Sequence, residues 1–148
     1  MTYRSGFVGL VGRPNVGKST MLNYYLGEKI AIVSPHPQTT RHRILGVLTR
    51  PDAQAVFLDS PGLHKSEHAL GRHMLEVAKA VVDEADVLVV VIDGRTGVTE
   101  ADEWVFARAR QAGRAALLAI NKVDVVKKPR LLPLLDACAK TKVFAECI

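Results

Sequence analysis

The segment GRPNVGKST, at positions 12–20, contains the residue types from which proteins build phosphate-binding loops. Gly12, Gly17, Lys18 and Ser19 match the pattern G-x-x-x-x-G-K-[ST], and an apolar stretch precedes them as that pattern requires. The glycines allow backbone N–H groups to face phosphate oxygens, the lysine reaches the β and γ phosphates, and the serine hydroxyl is a ligand for Mg²⁺. The segment therefore predicts a nucleoside triphosphate site, with Lys18 also catalytic and Ser19 also a metal ligand. Its predicted nucleotide contacts are Arg13, Pro14, Asn15, Val16, Gly17, Lys18, Ser19 and Thr20.

A second segment, NKVD at positions 121–124, indicates which base the nucleotide carries. Guanine presents N1–H and an exocyclic amine as adjacent donors, so the Asp124 carboxylate can accept both, whereas adenine offers no such pair. Losing a charged, buried pair of hydrogen bonds costs about 2–3 kcal/mol or more, which is enough for a strong preference. Asn121 and Lys122 are expected to brace the site, with the lysine stem covering a ring face. The segment predicts GTP and GDP as ligands.

A third segment, DSPG at positions 59–62, follows a predicted strand. Asp59 is predicted to hold Mg²⁺ through water, and Gly62 to donate its N–H to the γ phosphate, which makes Gly62 a candidate catalytic residue. The same residue types also favour an ordinary turn at a strand end, so this segment alone leaves both interpretations open.

Short apolar runs alternate with segments of helical period, which is typical of βα units around a mostly parallel sheet. The link between the second and third runs is too short for a parallel crossover, so these two strands are expected to be antiparallel neighbours. The predicted fold is an α/β three-layer P-loop domain whose mostly parallel six-stranded sheet has one antiparallel edge strand. The predicted strands are residues 7–11, 43–49, 53–59, 86–93, 115–120 and 143–148.

Four helices are predicted between these strands. The first follows Lys18 and ends at Gly27. The third begins after Thr99, which can cap it together with Asp102, and ends at Gly113. The fourth covers residues 130–140 despite an interior proline. The second carries an apolar stripe that predicts its buried face, formed by Leu70, Met74, Val77, Val81 and Ala85.

Composition limits the remaining possibilities. A chain of 148 residues, 48% of them hydrophobic, is long enough for one compact domain. The net charge of +5 permits an anionic partner such as nucleic acid or an acidic membrane face, although a solvated charged surface explains it as well. Cys138 and Cys147 are expected to be ordinary thiols, and the histidines lack the spacing of a zinc site. The longest apolar run, residues 87–92, is far shorter than the roughly 20 residues of a membrane span, so a cytoplasmic protein is expected.

The order and separation of GRPNVGKST, PQTTRHRI, DSPGLH and NKVD resemble the successive guanine-nucleotide motifs of the Era family, in the translation-factor-like branch of P-loop GTPases. The resemblance implies slow GTP hydrolysis by a molecular switch that acts in small ribosomal subunit assembly. It implies that Thr40, with Thr39 second, supplies a Mg²⁺ ligand and a γ-phosphate contact. The switch segments would be residues 28–43 and 61–70.

The resemblance also implies an unusual catalytic arrangement, because Leu63 stands where other GTPases carry the glutamine that orients the attacking water. Relatives with such a hydrophobic residue often use a potassium ion bound by the asparagine that matches Asn15. Potassium dependence is therefore a hypothesis for this chain, alongside Mg²⁺ bound by Ser19, Thr40 and Asp59.

The same resemblance implies domain organisation and partners. Residues 1–148 are expected to be a C-terminally truncated GTPase domain without the family's RNA-binding KH domain. The expected partners are guanine nucleotide and the small ribosomal subunit with its RNA, mainly through that absent domain. Peripheral association with the inner membrane is a further expectation, and DNA is not an expected partner.

The sequence leaves other functions open. An ATP-using kinase or ATPase would share the phosphate loop but would need another base pocket than NKVD. A partner-binding module could hold nucleotide only as a structural ligand, with negligible catalysis. Related GTPases with tandem domains, or with roles on the ribosome or in tRNA modification, share most of these motifs.

Overall fold

A computed structural model of the chain describes residues 2–28, 44–63 and 67–148. In this part of the chain six strands form one sheet of order β2-β3-β1-β4-β5-β6, in which the β2–β3 pair is antiparallel and the other pairs are parallel. The predicted fold class is confirmed. The strands are β1 (Arg4–Val11), β2 (Ile44–Thr49), β3 (Ala53–Asp59), β4 (Val87–Asp93), β5 (Ala115–Asn121) and β6 (Glu146–Cys147), and the helices are α1 (Lys18–Leu26), α2 (Ala69–Glu84), α3 (Glu100–Ala112) and α4 (Lys128–Lys140).

The register of the parallel strands brings the candidate site residues to one edge of the sheet. Leu10 of β1 pairs with Asp59 of β3, and Asp93 of β4 pairs with Asn121 of β5. The segments that follow these strands therefore lie side by side, at the carboxyl edge where α/β sheets bind ligands.

The helices form a layer on each face of the sheet. Helix α1 buries Leu22 against Leu10 and Phe57 on one face. Helices α2, α3 and α4 cover the other face and enclose the larger core around β4 and β5.

The buried face of α2 differs from the predicted stripe. Met74 and Val81 are buried as expected, but Leu70 is 45% exposed, and Gly71 and Ala78 are buried instead. At its C-terminal end this face lies close to β1, where a Cβ on Gly9 would lie only 3.0 Å from the Cβ of Ala85, which is buried as expected, and 3.2 Å from Val81 Cγ1. Small residues make that approach possible, and they weaken the apolar signal in the sequence.

The last strand is shorter than predicted. Only Glu146 and Cys147 pair with β5, at Leu117 and Leu118. Phe144 lies before the strand and packs edge-to-face against Phe106 of α3, with ring centroids 4.9 Å apart. Its apolar character therefore reflects packing beneath α3 and not membership of the sheet.

The other predicted elements agree with the structure apart from small shifts at their ends. Helix α3 has the predicted capping box, in which Thr99 and Asp102 exchange hydrogen bonds, and it ends at Gly113 with φ 62°. Helix α4 contains Pro133, as predicted, and begins earlier, at Lys128. None of the helices formed by the described residues is long and apolar enough to cross a bilayer.

Candidate nucleotide-binding site

The glycine-rich segment connects β1 to the N-terminus of α1. Asn15 and Gly17 have left-handed backbone, with φ of 63° and 106°. Such residues turn successive N–H groups toward one side and create a concavity suited to anions, beside the partial positive charge of the helix N-terminus. The glycines are also required sterically. A Cβ would lie 2.5 Å from the carbonyl oxygen of Val91 if it were added at Gly12, and 2.1 Å from Asn121 Nδ2 if it were added at Gly17.

Side chains hold the carbonyl groups of this loop in place. Because these acceptors are already occupied, the conformation that presents the N–H groups is fixed before any ligand arrives, which lowers the ordering cost of binding. Lys18 Nζ donates to the carbonyl oxygens of Gly12 (3.1 Å) and Arg13 (2.9 Å), Lys122 Nζ to that of Asn15 (2.7 Å), and Asn121 Nδ2 to that of Val16 (2.9 Å).

The Lys18 ammonium is buried, with 6% of the residue exposed. Its pKa is lowered to about 8, mainly by burial and also by the nearby Arg13 guanidinium, whereas the Asp59 carboxylate opposes the shift. A buried cation that is paired mainly with neutral carbonyl groups favours an anionic ligand, because added negative charge would offset its desolvation.

Asp59 and Ser19 form a second polar pair at the same edge. Ser19 Oγ donates to Asp59 Oδ2 at 2.6 Å, while Asp59 Oδ1 is buried and accepts no hydrogen bond from the described residues. Burial raises the pKa of this carboxyl, with the Ser19 hydroxyl and Lys18 opposing the rise. An orphaned carboxylate oxygen next to a hydroxyl fits Mg²⁺, which binds through one or two protein oxygens together with waters and phosphates. Within residues 2–28, 44–63 and 67–148, no cluster of three or more His, Cys, Asp or Glu side chains offers an all-protein metal cage.

The segment after β3 is in direct contact with the loop. A Cβ on Gly62 would lie 2.6 Å from Pro14 Cα, so only glycine fits there. The next residue, Leu63, donates its N–H to the carbonyl oxygen of Gly12 at 2.8 Å. The Leu63 side chain is buried in the core that α2 and α3 cover. Gly62 therefore lies between the loop, which it contacts at Pro14, and Leu63, which belongs to the core.

The NKVD segment lies beside the loop, at the end of β5. Lys122 has a left-handed backbone, with φ 62°, which is unusual for a residue other than glycine. Asp124 lies in the short 3₁₀ turn Val123–Val125 that follows, and it is exposed to solvent. The exposed carboxylate is accessible to a ligand, next to a lysine and an asparagine whose side chains are fixed to the loop.

Comparison with known families matches residues 7–122 to the family described as 50S ribosome-binding GTPase. The chain belongs to this GTPase family. It is 42% identical over 146 residues to GTPase Era of Syntrophus aciditrophicus, covering 99% of the chain and 48% of that relative. It is 47% identical over 147 residues to GTPase Era of Marinobacter nauticus, covering 98% and 48%. The chain thus spans about half the length of the curated relatives it matches, and the resemblance to Era is confirmed.

Solved structures give the same result. Era in complex with MgGDPNP and a segment of 16S ribosomal RNA superposes with a TM-score of 0.94 at 39% identity, over 99% of this chain and 50% of that one. A variant of Aquifex aeolicus Era bound to GDP and aluminium fluoride gives a TM-score of 0.92 at 39% identity, over 97% and 50%.

The fold of this GTPase family member brings most of the predicted site residues together at one sheet edge. The guanidinium of Arg13 is directed to α3, where its Nε donates to the Asp102 carboxylate at 3.0 Å and a terminal nitrogen donates to Thr96 Oγ1. Its predicted nucleotide contact therefore rests on its backbone. Thr39 and Thr40, and most of the first predicted switch segment, lie outside the described residues.

Sequence reasoning gave no functional role to two carboxylates that the structure places against the site. It placed Asp93 only at the end of a predicted strand and Asp102 only in a helix cap. Both placements are confirmed, but Asp93 also accepts from Lys122 Nζ at 3.0 Å, and Asp102 also binds Arg13. A signal was available for Asp93: it ends a buried strand of the predicted sheet, at the level where NKVD ends the next. No local pattern could have linked Asp102 to Arg13, because these residues are 89 positions apart.

Proposed function

We propose that this chain binds GTP and GDP together with Mg²⁺ and hydrolyses GTP slowly, as a molecular switch. The observation that carries the proposal is the preorganised loop at positions 12–20, whose carbonyls are held by Lys18, Asn121 and Lys122. Two of the residues that hold the loop, Asn121 and Lys122, thus belong to the NKVD segment. This arrangement suits a ligand with phosphates at one end and a purine at the other, which favours a nucleotide over inorganic phosphate.

Each part of the site has a role in hydrolysis. A water oxygen forms a bond to the γ phosphorus while the bond from that phosphorus to the β–γ bridging oxygen breaks, which leaves GDP and inorganic phosphate. The Lys18 ammonium and the loop N–H groups stabilise the charge that develops on the bridging oxygen, and the Gly62 N–H stabilises the γ-phosphate oxygens.

Ser19 and Asp59, with Thr40 by resemblance, are the residues that would hold Mg²⁺. When bound, the ion supplies charge neutralisation between the β and γ phosphates. The Ser19 hydroxyl, which in this structure donates a hydrogen bond to Asp59, would then turn to coordinate the ion. The orphaned Asp59 oxygen would accept a hydrogen bond from a water on the ion.

Guanine selection is assigned to Asp124. Its carboxylate accepts from N1–H and the exocyclic amine of guanine, while Lys122 packs its stem against the ring. A leucine at position 63 cannot orient the attacking water, so a potassium ion bound at Asn15 is proposed as the compensating element.

The biological role follows the relatives. A relative of known structure binds 16S ribosomal RNA, and by this similarity we propose a role in assembly of the small ribosomal subunit. Residues 1–148 then act as the GTPase domain, and RNA recognition is assigned mainly to the KH domain of the family. Location in the cytoplasm and peripheral binding at the inner membrane stay predictions.

The first test is base specificity, measured by calorimetry with Mg²⁺ present. We expect the affinity for GDP to exceed that for ADP by about 100-fold or more. Asp124→Asn should weaken GDP binding by a similar factor and favour xanthosine diphosphate, whose additional carbonyl can accept from the new amide. Asp52→Asn, in the exposed turn between β2 and β3, is the matched control and should change neither affinity. Equal binding of GDP and ADP by the unaltered chain would remove the guanine assignment.

The second test is single-turnover phosphate release in potassium and in sodium buffers. Release faster than in buffer alone supports an enzyme, and faster release in potassium supports the ion at Asn15. A rate equal to buffer in both salts would favour the alternative of a nucleotide-holding partner module.

A further inference from the structure

The carboxylate of Asp93 lies between the two loops of the candidate site without belonging to either. It ends β4 and is almost fully buried, with its side chain 3% exposed. Its Oδ2 accepts from Lys122 Nζ at 3.0 Å. The same Lys122 ammonium donates to the carbonyl oxygen of Asn15 at 2.7 Å. Asp93 therefore reaches the phosphate loop through one lysine.

Arg95 closes the other side of this carboxylate. Its Nε donates to Oδ1 at 3.0 Å, its Nη2 donates to Oδ2 at 2.7 Å, and its backbone N–H donates to Oδ1 at 2.9 Å. A carboxylate held by a two-pronged guanidinium has little rotational freedom. The position of the oxygen that faces Lys122 is therefore fixed by the loop that follows β4.

The turn that follows Asp93 does not need the charge on its side chain. The backbone carbonyl of Asp93 accepts from the N–H groups of Thr96 and Gly97, at 3.3 and 3.2 Å. An asparagine at this position would keep those bonds and could keep one oxygen as an acceptor for Arg95, but it would lose the ion pairs with both Lys122 and Arg95. The turn-forming and lysine-holding roles can therefore be separated by one substitution.

Lys122 is the residue that requires such support. Its left-handed backbone is costly for a residue with a Cβ, and its side chain is long and 29% exposed, so it would otherwise sample many rotamers. Two fixed acceptors on opposite loops, Asp93 Oδ2 and the Asn15 carbonyl, hold the stem in one orientation. In the proposed function this stem covers a face of the purine ring.

We propose that Asp93 is a positioning residue for guanine nucleotide, which acts on the ligand through Lys122 and is itself held by Arg95. The inference rests on the proposed function. It assigns base affinity to a residue outside NKVD, and it separates ring packing, which Asp93 supports, from recognition of the guanine edge, which belongs to Asp124.

The test is a double-mutant cycle read by GDP affinity. Asp93→Asn should weaken GDP binding about 10-fold in the unaltered background, since a charge-assisted contact is lost. In a Lys122→Met background the same substitution should change the affinity by less than about 2-fold, because the partner is gone. Equal losses in both backgrounds would overturn the proposal, as would an unchanged affinity in the Asp93→Asn single variant.

A second readout separates positioning from edge recognition. Inosine diphosphate lacks the exocyclic amine but keeps the ring, so Asp93→Asn should weaken GDP and inosine diphosphate by the same factor, whereas Asp124→Asn should alter their ratio. A changed ratio in Asp93→Asn would contradict the proposal. If the unaltered chain bound neither nucleotide, the proposed function itself would fail, which is a distinct result.

Matched variants control for folding. Asp86 lies just before β4, at the opposite end of the strand, where its carboxylate accepts from the N–H of Phe7 at 2.7 Å. Asp86→Asn should lower stability toward urea without changing GDP affinity. Should Asp93→Asn fail to fold, Arg95→Ala serves instead, because that side chain is 54% exposed. It should weaken GDP binding about 2- to 3-fold, only when Lys122 is present. Equal weakening with and without Lys122 would contradict the proposal.

Discussion

The two ends of the candidate site are built on opposite electrostatic principles. At the phosphate end, Lys18 is a buried ammonium whose pKa is lowered to about 8, and Asp59 is a buried carboxyl whose pKa is raised and whose Oδ1 is orphaned. At the base end, Asp93 accepts hydrogen bonds from Arg95 and Lys122. These hydrogen bonds, mainly those from Arg95, hold the pKa of Asp93 well below its ordinary range. Lys18 and Asp59 are thus buried charged groups with few compensating partners, whereas both oxygens of the buried Asp93 carboxylate accept hydrogen bonds from cationic side chains.

This difference indicates how binding energy is divided. Buried charges with few partners are stabilised most by a ligand of opposite charge or by a metal ion, so the phosphate end is expected to supply most of the affinity. The base end is already stable without ligand, and such a fixed surface suits discrimination between bases, because it cannot adapt to the wrong one. The following predictions test that division.

The largest effect is expected from the buried cation. Lys18→Ala should weaken GDP binding by about 100-fold or more, because the buried ammonium that contacts the β phosphate is removed. This loss should exceed the loss of about 10-fold from Asp93→Asn at the base end. Calorimetry with GDP and Mg²⁺ measures both variants. If the base-end substitution cost more than Lys18→Ala, the proposed division of affinity would be wrong.

An effect of similar size is expected on the pH dependence of stability without nucleotide. The unfolded chain keeps the Lys18 proton up to pH 10.5, whereas the folded chain releases it above about 8. The unfolded state therefore binds more protons in that window, and the free energy of unfolding should rise with pH there, by about 3 kcal/mol from this residue. Below pH 8 the penalty of the buried ammonium is fully present.

Urea unfolding of the nucleotide-free chain from pH 7 to 10.5, with a chelator present, measures this contribution. It is the difference in the free energy of unfolding between the unaltered chain and Lys18→Met. At the base end it is the ionised form that stabilises the fold: Asp93 contributes this stability at neutral pH and loses it as the pH falls below the ordinary pKa of an aspartate. Parallel curves for the unaltered chain and Lys18→Met would contradict the electrostatic description of the phosphate end.

The sequence predicted the two ends unequally, for a physical reason. The phosphate end is a contiguous loop, so Gly12, Gly17 and Lys18 occur together at fixed spacing in one short sequence pattern. The base end depends on contacts between residues far apart in the chain, such as Lys122 with Asn15, 107 positions away. Its bracing lysine was expected, but the carboxylate that holds that lysine was not.

The fold shows the same division between local and long-range signals. The capping box of α3 is local and was predicted in full. The face that α2 buries is set by packing against other elements and includes the small residues Gly71 and Ala78, and there the prediction was wrong at Leu70. Elements with strong local chemistry were therefore predictable, whereas those set by small residues at a distant contact were not.

The smallest predicted effect concerns Gly17, the position at which the two ends touch. Gly17 and Gly27 both have left-handed backbone, with φ of 106° and 69°. A Cβ at Gly27 meets no atom within 4 Å, whereas a Cβ at Gly17 would lie 2.1 Å from Asn121 Nδ2, which holds the carbonyl of Val16. Alanine should therefore cost about 1 kcal/mol of stability at Gly27 from backbone strain alone, and about 2 kcal/mol at Gly17, where Asn121 must also move.

The contrast between these two glycines tests whether the ends are coupled. Gly17→Ala should weaken GDP binding beyond its effect on stability, because displacing Asn121 disturbs the loop and the start of NKVD together. Gly27→Ala should leave GDP affinity unchanged. In a background of Asn121→Ala, where the obstructing amide is absent, the extra cost of Gly17→Ala should fall to that of Gly27→Ala. If it did not fall, strain within the phosphate loop alone would account for Gly17, and the two ends would act as independent parts.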